Sequence, residues 1–209
     1  MLATHEEINE SLKIHATGIA DWRYQELANV LHEWAGRFNV EFKLDVDIPA
    51  LRIDRARDLA LGTYRGHRNG FGIRHEVTLN AKYLNRPIAE ILETLLHELL
   101  HEWQELHGKP STSNYHNVEY RRKASEFGFV VHRRGHHEAV VPGSFTELLE
   151  RCGVDPSWVL KLPPAPVRPV GTSKMKKWSC RCTNVRCAVE LRATCLSCGA
   201  PFERAPSSW

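Results

Sequence analysis

The segment Ile88–His107 constrains this chain most, because two patterns overlie each other there and both require the same backbone. Ile88, Leu92, Leu95, Leu96, Leu99, Leu100, Trp103 and Leu106 recur at intervals of three and four, so one face of a helix turns toward a core. Glu90, Thr94, His97, His101 and Glu105 mark the other face. His97 and His101 stand four residues apart, which puts their imidazoles one turn apart and able to converge on a single cation. Glu98 follows the first histidine. In this HExxH pattern two histidines hold zinc and the glutamate takes a proton from the attacking water. Asn85, Pro87 and Glu90 give the helix a start, and Gly108-Lys-Pro110 a stop.

A catalytic zinc usually takes three protein ligands and keeps one position open. Three candidates compete for third ligand. His107 has the spacing of the extended HExxHxxGxxH motif, but Gln104 stands in the glycine position. A straight helix would carry His107 about 280° round from His97, off the metal face. Glu119 or Glu126 would serve as a downstream glutamate on a second helix. His116 follows the stop and a Ser/Thr/Asn loop, and opens the next helical pattern of Tyr120, Ala124 and Phe127. A chain that turns back after the stop brings it onto the exposed face of the first helix.

Five of the six cysteines lie between Cys180 and Cys198, a clustering that points to metal. Cys180 and Cys182 form one pair, Cys195 and Cys198 another. Pairs at both ends of a short hairpin suit four thiolates around a tetrahedral zinc, and a segment this short needs metal to fold. These four are the expected ligands, with Cys187 a spare that could replace one, since the first pair is CxC. Cys152, alone, is expected to be a small buried apolar residue.

Elsewhere the patterns are coarser. Leu27, Val30, Leu31, Trp34 and Phe38 follow a helical period from Asp21 onward. Residues 40–46 alternate and read as a strand ended by Pro49; 59–65 and 71–80 read as two more, around an Asn69-Gly70 hairpin turn. Phe129–Val131 reads as a short strand, residues 132–138 as a polar loop rich in histidine, and Ser144-Phe-Thr-Glu147 as a capping box. Helix, strands and then the HExxH helix amount to an α+β fold, with a small antiparallel sheet packed on that helix. A Pro/Lys-rich linker at 161–177 divides a domain of residues 1–160 from a small β zinc ribbon at 178–209.

Thr94-Leu-Leu-His97-Glu98-Leu-Leu-His101, then His116-Asn-Val-Glu-Tyr120 and Phe127-Gly128, resemble the SprT-like metalloprotease domain, which includes the Spartan proteases. The resemblance implies a zincin-like fold over roughly residues 20–155. It also implies zinc on His97, His101 and His116, Glu98 as catalytic residue, and a protein substrate. The family's frequent His-Gly at the third ligand is His116-Asn117 here. SprT-like proteins often carry a C-terminal zinc ribbon, so the resemblance reaches the cysteines and implies one catalytic and one structural zinc. For Spartan-type members it implies cleavage of DNA-bound or DNA-crosslinked proteins.

Charge distribution bears on that partner. Residues 161–209 hold nine Lys/Arg against Glu190 and Glu203, a net +7, whereas the rest of the chain is −4. A basic end of this kind fits a polyanion. Lys174, Lys176, Lys177, Arg181, Arg186 and Arg192 are the candidate phosphate contacts, with Trp178 and Phe202 available to stack on unpaired bases. Binding would be to single-stranded DNA or nonspecific, and sensitive to salt. The first twenty residues lack the basic start and apolar run of a secretion signal, and no apolar stretch reaches the length of a membrane span. A cytoplasmic location and no membrane partner are expected. The rival reading is a non-proteolytic, nucleic-acid-associated regulatory protein with structural zinc sites, which has no need of Glu98.

Overall fold

The computed structural model describes residues 4–55, 59–112, 115–134, 137–162 and 175–205, excluding the side chains of His137 and Glu138. Two compact units divide the chain, residues 1–163 and 164–209.

In the first unit the acidic amino-terminal segment has no marked apolar period, yet it forms helix α1 (His5–Gly18). Thr4 and Glu7 close a capping box at its start, and Asn9 ties it to the Ile48 carbonyl. Helix α2 (Gln25–Glu41) buries Leu27, Leu31, Trp34 and Phe38, the period read from sequence, with Tyr24 at its cap. Strands β1 (Ala50–Asp54), β2 (Gly62–Arg65) and β3 (Glu76–Asn80) follow. Then come α3 (Ile88–His107), α4 (Val118–Glu126), the pair β4 (Phe129–Val131) and β5 (His137–Val140), and α5 (Ser144–Arg151).

The α+β architecture is the expected one, but the three-stranded sheet is mixed rather than antiparallel. Its order is β1-β3-β2, with β1 parallel and β2 antiparallel to β3. Residues 40–46 are not a strand. The α2 period runs on to Phe42, and Lys43 and Asp45 then take left-handed φ of 49° and 52°, which turns Leu44 and Val46 inward together. The Asn39 amide satisfies both the N–H and the carbonyl of Val46 in place of a neighbouring strand. Asn69 does not form a two-residue hairpin turn either. Its side chain accepts from the N–H groups of Phe71 and Ile73 and shapes a longer loop between β2 and β3.

Helix α3 packs Leu92, Leu95, Leu96 and Leu99 against α2 and the sheet. Its first N–H is satisfied by the Trp158 carbonyl, so a tertiary contact replaces a side-chain cap. The α5 cap is Gly143, whose N–H donates to Thr146 Oγ1, whereas Ser144 Oγ reaches the Glu126 carbonyl. Cys152, half-buried, accepts from Arg37 Nη1 at 2.9 Å.

His32 lies on α2, 6 % exposed, and burial pushes its pKa down to about 4. The folded state therefore binds a proton there less readily than the unfolded chain, at about 6.5. Its contribution to stability is complete above pH 6.5 and is lost as pH falls toward 4. Between pH 7 and pH 5 His32→Gln is expected to lose about 2 kcal/mol less stability than the parent, measured from urea midpoints.

The second unit contains strands β6 (Lys176–Ser179), β7 (Asn184–Cys187) and β8 (Glu203–Arg204), antiparallel in the order β7-β6-β8. Its buried side chains are Trp178 and Cys195 among the described residues.

Candidate metal centres

His97 and His101 project from one face of α3, and His116 meets them from the residue preceding the cap of α4. Asn117 is that cap, its side chain accepting from the Tyr120 N–H, so helix initiation fixes where His116 stands. One ring nitrogen from each histidine lies within 4.8 Å of the others. His101 Nε2 and His116 Nε2 are 3.0 Å apart. Two nitrogens sharing a tetrahedral cation at zinc distances stand roughly 3.3 Å apart, so this donor set fits zinc.

The rings are held from behind. His116 Nδ1 faces the His132 carbonyl at 3.2 Å, which keeps the proton on Nδ1 and leaves Nε2 for metal. Tyr120 stacks on His116 and His101 at centroid distances of 4.3 and 4.4 Å. Its hydroxyl donates to the His97 carbonyl at 2.8 Å. Burial, reinforced by His116, pushes the His101 pKa down to about 3, so its imidazole is neutral at physiological pH.

The rival third ligands are engaged elsewhere. His107 Nε2 meets the Asp45 carbonyl at 2.6 Å. Glu119 Oε2 accepts from the Lys109 N–H and from Gln104 Nε2, and Glu126 pairs with Lys123.

Glu98 is 5 % exposed, and burial pushes its pKa up to about 8 against the opposing effect of a hydrogen bond from the Tyr64 N–H. Tyr64 lies on β2, an outer strand of the sheet. Gly62, two residues earlier, allows that strand to approach α3: a Cβ there would stand 2.8 Å from Thr94 Cγ2 and 2.9 Å from Glu98 Oε1. Gly62→Ala should therefore displace Glu98 and lower kcat about 10- to 100-fold with zinc content unchanged, as peptide assays and metal analysis would show.

Behind β2, Tyr64 Oη is hydrogen-bonded to His75 Nδ1 at 2.8 Å, and His75 faces Glu102 at 3.8 Å. Glu102 is fully buried, and burial pushes its pKa up to about 9. Tyr64, His75 and Gly62 have no motif of their own; their positions follow from strand–helix contacts. A cleft of about 640 Å³ opens over the histidines, lined along one side by residues 59–64.

In the second unit the sulfurs of Cys180, Cys182, Cys195 and Cys198 lie within 4.8 Å of one another. Cys182 Sγ is 3.6 Å from Cys180 Sγ and 3.5 Å from Cys195 Sγ, far beyond a disulfide and near the roughly 3.8 Å expected for thiolates on zinc. The Cys198 and Ser197 N–H groups hold Cys195 down at about 6. Cys187 Sγ points to the Val189 carbonyl instead. Lys177, Arg181, Arg186 and Arg192 are exposed and Lys176 is half-buried. Lys174 lies outside the described residues, as do Gly135 and His136 of the histidine-rich loop. Trp178 is 3 % exposed, so its ring is committed to packing rather than presented to bases, and Phe202 is half-buried.

The HExxH helix, a third imidazole and an open cleft define a zinc-dependent peptidase active site, accompanied by a four-cysteine cluster that fits a structural zinc. Residues 29–140, just over half of the chain, match the model of the SprT-like family, and the protein belongs to that family. No curated protein and no solved structure matches the chain.

Proposed function

We propose that this protein is an endopeptidase that acts on proteins held on DNA. The observation that carries the peptidase part of the reading is Glu98, buried beside three converging imidazoles and oriented by the Tyr64 N–H; the basic side chains of the second unit support the DNA part. His97, His101 and His116 are the catalytic metal's ligands. Cys180, Cys182, Cys195 and Cys198 are those of the structural one. Zinc, when bound, supplies a Lewis acid that acidifies water and polarises a carbonyl. Glu98 Oε1 or Oε2 receives the proton of the attacking water and returns it to the leaving amine. An extended substrate lies along β2, whose outer edge pairs with no strand among the described residues and borders the cleft.

Residues 1–160 form the peptidase domain, 161–177 a linker whose last two residues open β6 and of which 163–174 lie outside the described residues, and 178–209 the ribbon. Lys176, Lys177, Arg181, Arg186 and Arg192 of the linker and ribbon contact phosphates. No helix among the described residues is long and apolar enough to cross a membrane. Metal-binding thiols call for a reducing compartment, and the cytoplasm supplies one.

Zinc-loaded protein is expected to cleave a DNA-binding protein faster with single-stranded DNA than without it. Equal rates would remove DNA from the reading. No cleavage with zinc confirmed at both sites would favour the non-proteolytic binding protein.

A further inference from the structure

The loop between β2 and β3, residues 66–75, is cross-linked by its own hydrogen bonds. Asn69 accepts from the Phe71 and Ile73 N–H groups and donates through Nδ2 to Glu76 Oε2. Arg68 Nη1 donates to the Gly72 carbonyl at 2.8 Å, and Gly72 itself has a left-handed φ of 75°. What this framework presents is Phe71, 91 % exposed. Arg65, Arg68 and Arg74, within the loop and at its ends, are exposed, and residues 65–74 contain no carboxylate. Two carboxylates border the loop at its base: Glu76, which faces Arg52 and Arg65, and Glu105, beside Gly66.

We propose that this loop binds single-stranded nucleic acid, with Phe71 stacking on an unpaired base and Arg65, Arg68 and Arg74 contacting phosphates. An exposed aromatic side chain on a segment that carries three exposed guanidiniums suits a strand whose bases are unstacked, and not a duplex, whose bases present no free face. Gly66 lines the catalytic cleft, so a strand on the loop passes beside the site of hydrolysis. The surface belongs to the first unit and does not require the ribbon to bind DNA.

The test is fluorescence anisotropy of labelled oligo(dT) with the full-length zinc-loaded chain across a salt series. Phe71→Ala should weaken binding about tenfold at every salt concentration. Phe71→Trp should restore it and Phe71→Leu should not, which separates stacking from apolar contact. Arg68→Ala with Arg74→Ala should reduce the salt slope by about 1.4. Peptide cleavage without DNA should be unchanged in Phe71→Ala. Unaltered oligonucleotide affinity and slope in these variants would overturn the proposal, and a raised KM for peptide beside them would assign the loop to the protein substrate. Loss of binding in Arg186→Ala with Arg192→Ala alone would place DNA on the ribbon only. The peptidase reading stands or falls separately, on Glu98.

Discussion

Glu98→Gln is expected to lower kcat for peptide cleavage by about 10³- to 10⁴-fold, the upper range for removal of a general base, while both metal sites stay filled. Glutamine matches the carboxylate in shape and can still accept the Tyr64 N–H, so the packing at this buried position survives. It cannot take a proton from water. Glu98 is buried next to the metal ligands rather than among them, and a bound dication would favour its ionised form against the effect of burial. The variant thus separates chemistry from metal binding. Kinetics together with metal analysis would check it: a Glu98→Gln protein retaining a tenth of the activity would put the base elsewhere, and one that lost zinc would make Glu98 a structural residue.

The helix that carries this chemistry was legible because one element records both the apolar period and the HExxH spacing. The third ligand was not legible from spacing alone. His107, Glu119, Glu126 and His116 are separated only by where the chain turns after Gly108, and by the carbonyl, amides and ammonium that engage the first three. Strand β1 escaped because its partner is β3, a non-local parallel pairing that leaves no turn signal. The alternation over residues 40–46 misled for a related reason: two left-handed residues and the Asn39 amide can imitate a strand's inward pattern. Gly62, Tyr64 and Tyr120 matter through contacts across an interface that no single segment encodes. Trp178 reads as a stacking residue by composition, but the ribbon has few other side chains with which to form a core.

That scarcity of core sets the second large effect. Cys195→Ala is expected to unfold the described ribbon, residues 175–205, while leaving the first unit folded. Strands of four, four and two residues around Trp178 and Cys195 bury too little apolar surface to offset chain entropy. Structural zinc contributes apparent folding free energy on the order of 10 kcal/mol or more in domains of this size, so loss of one ligand removes most of what orders the segment. Amide spectra should show resonances of the ribbon collapsing to unfolded positions and those of residues 4–162 persisting. Cys187→Ser is the discriminating control. Its sulfur faces the Val189 carbonyl, outside the four-sulfur cluster, so that variant should keep both zinc and fold. If instead Cys187→Ser unfolds the ribbon and Cys180→Ser or Cys182→Ser does not, the tetrad includes Cys187, and the turn between β6 and β7 must be rebuilt around it.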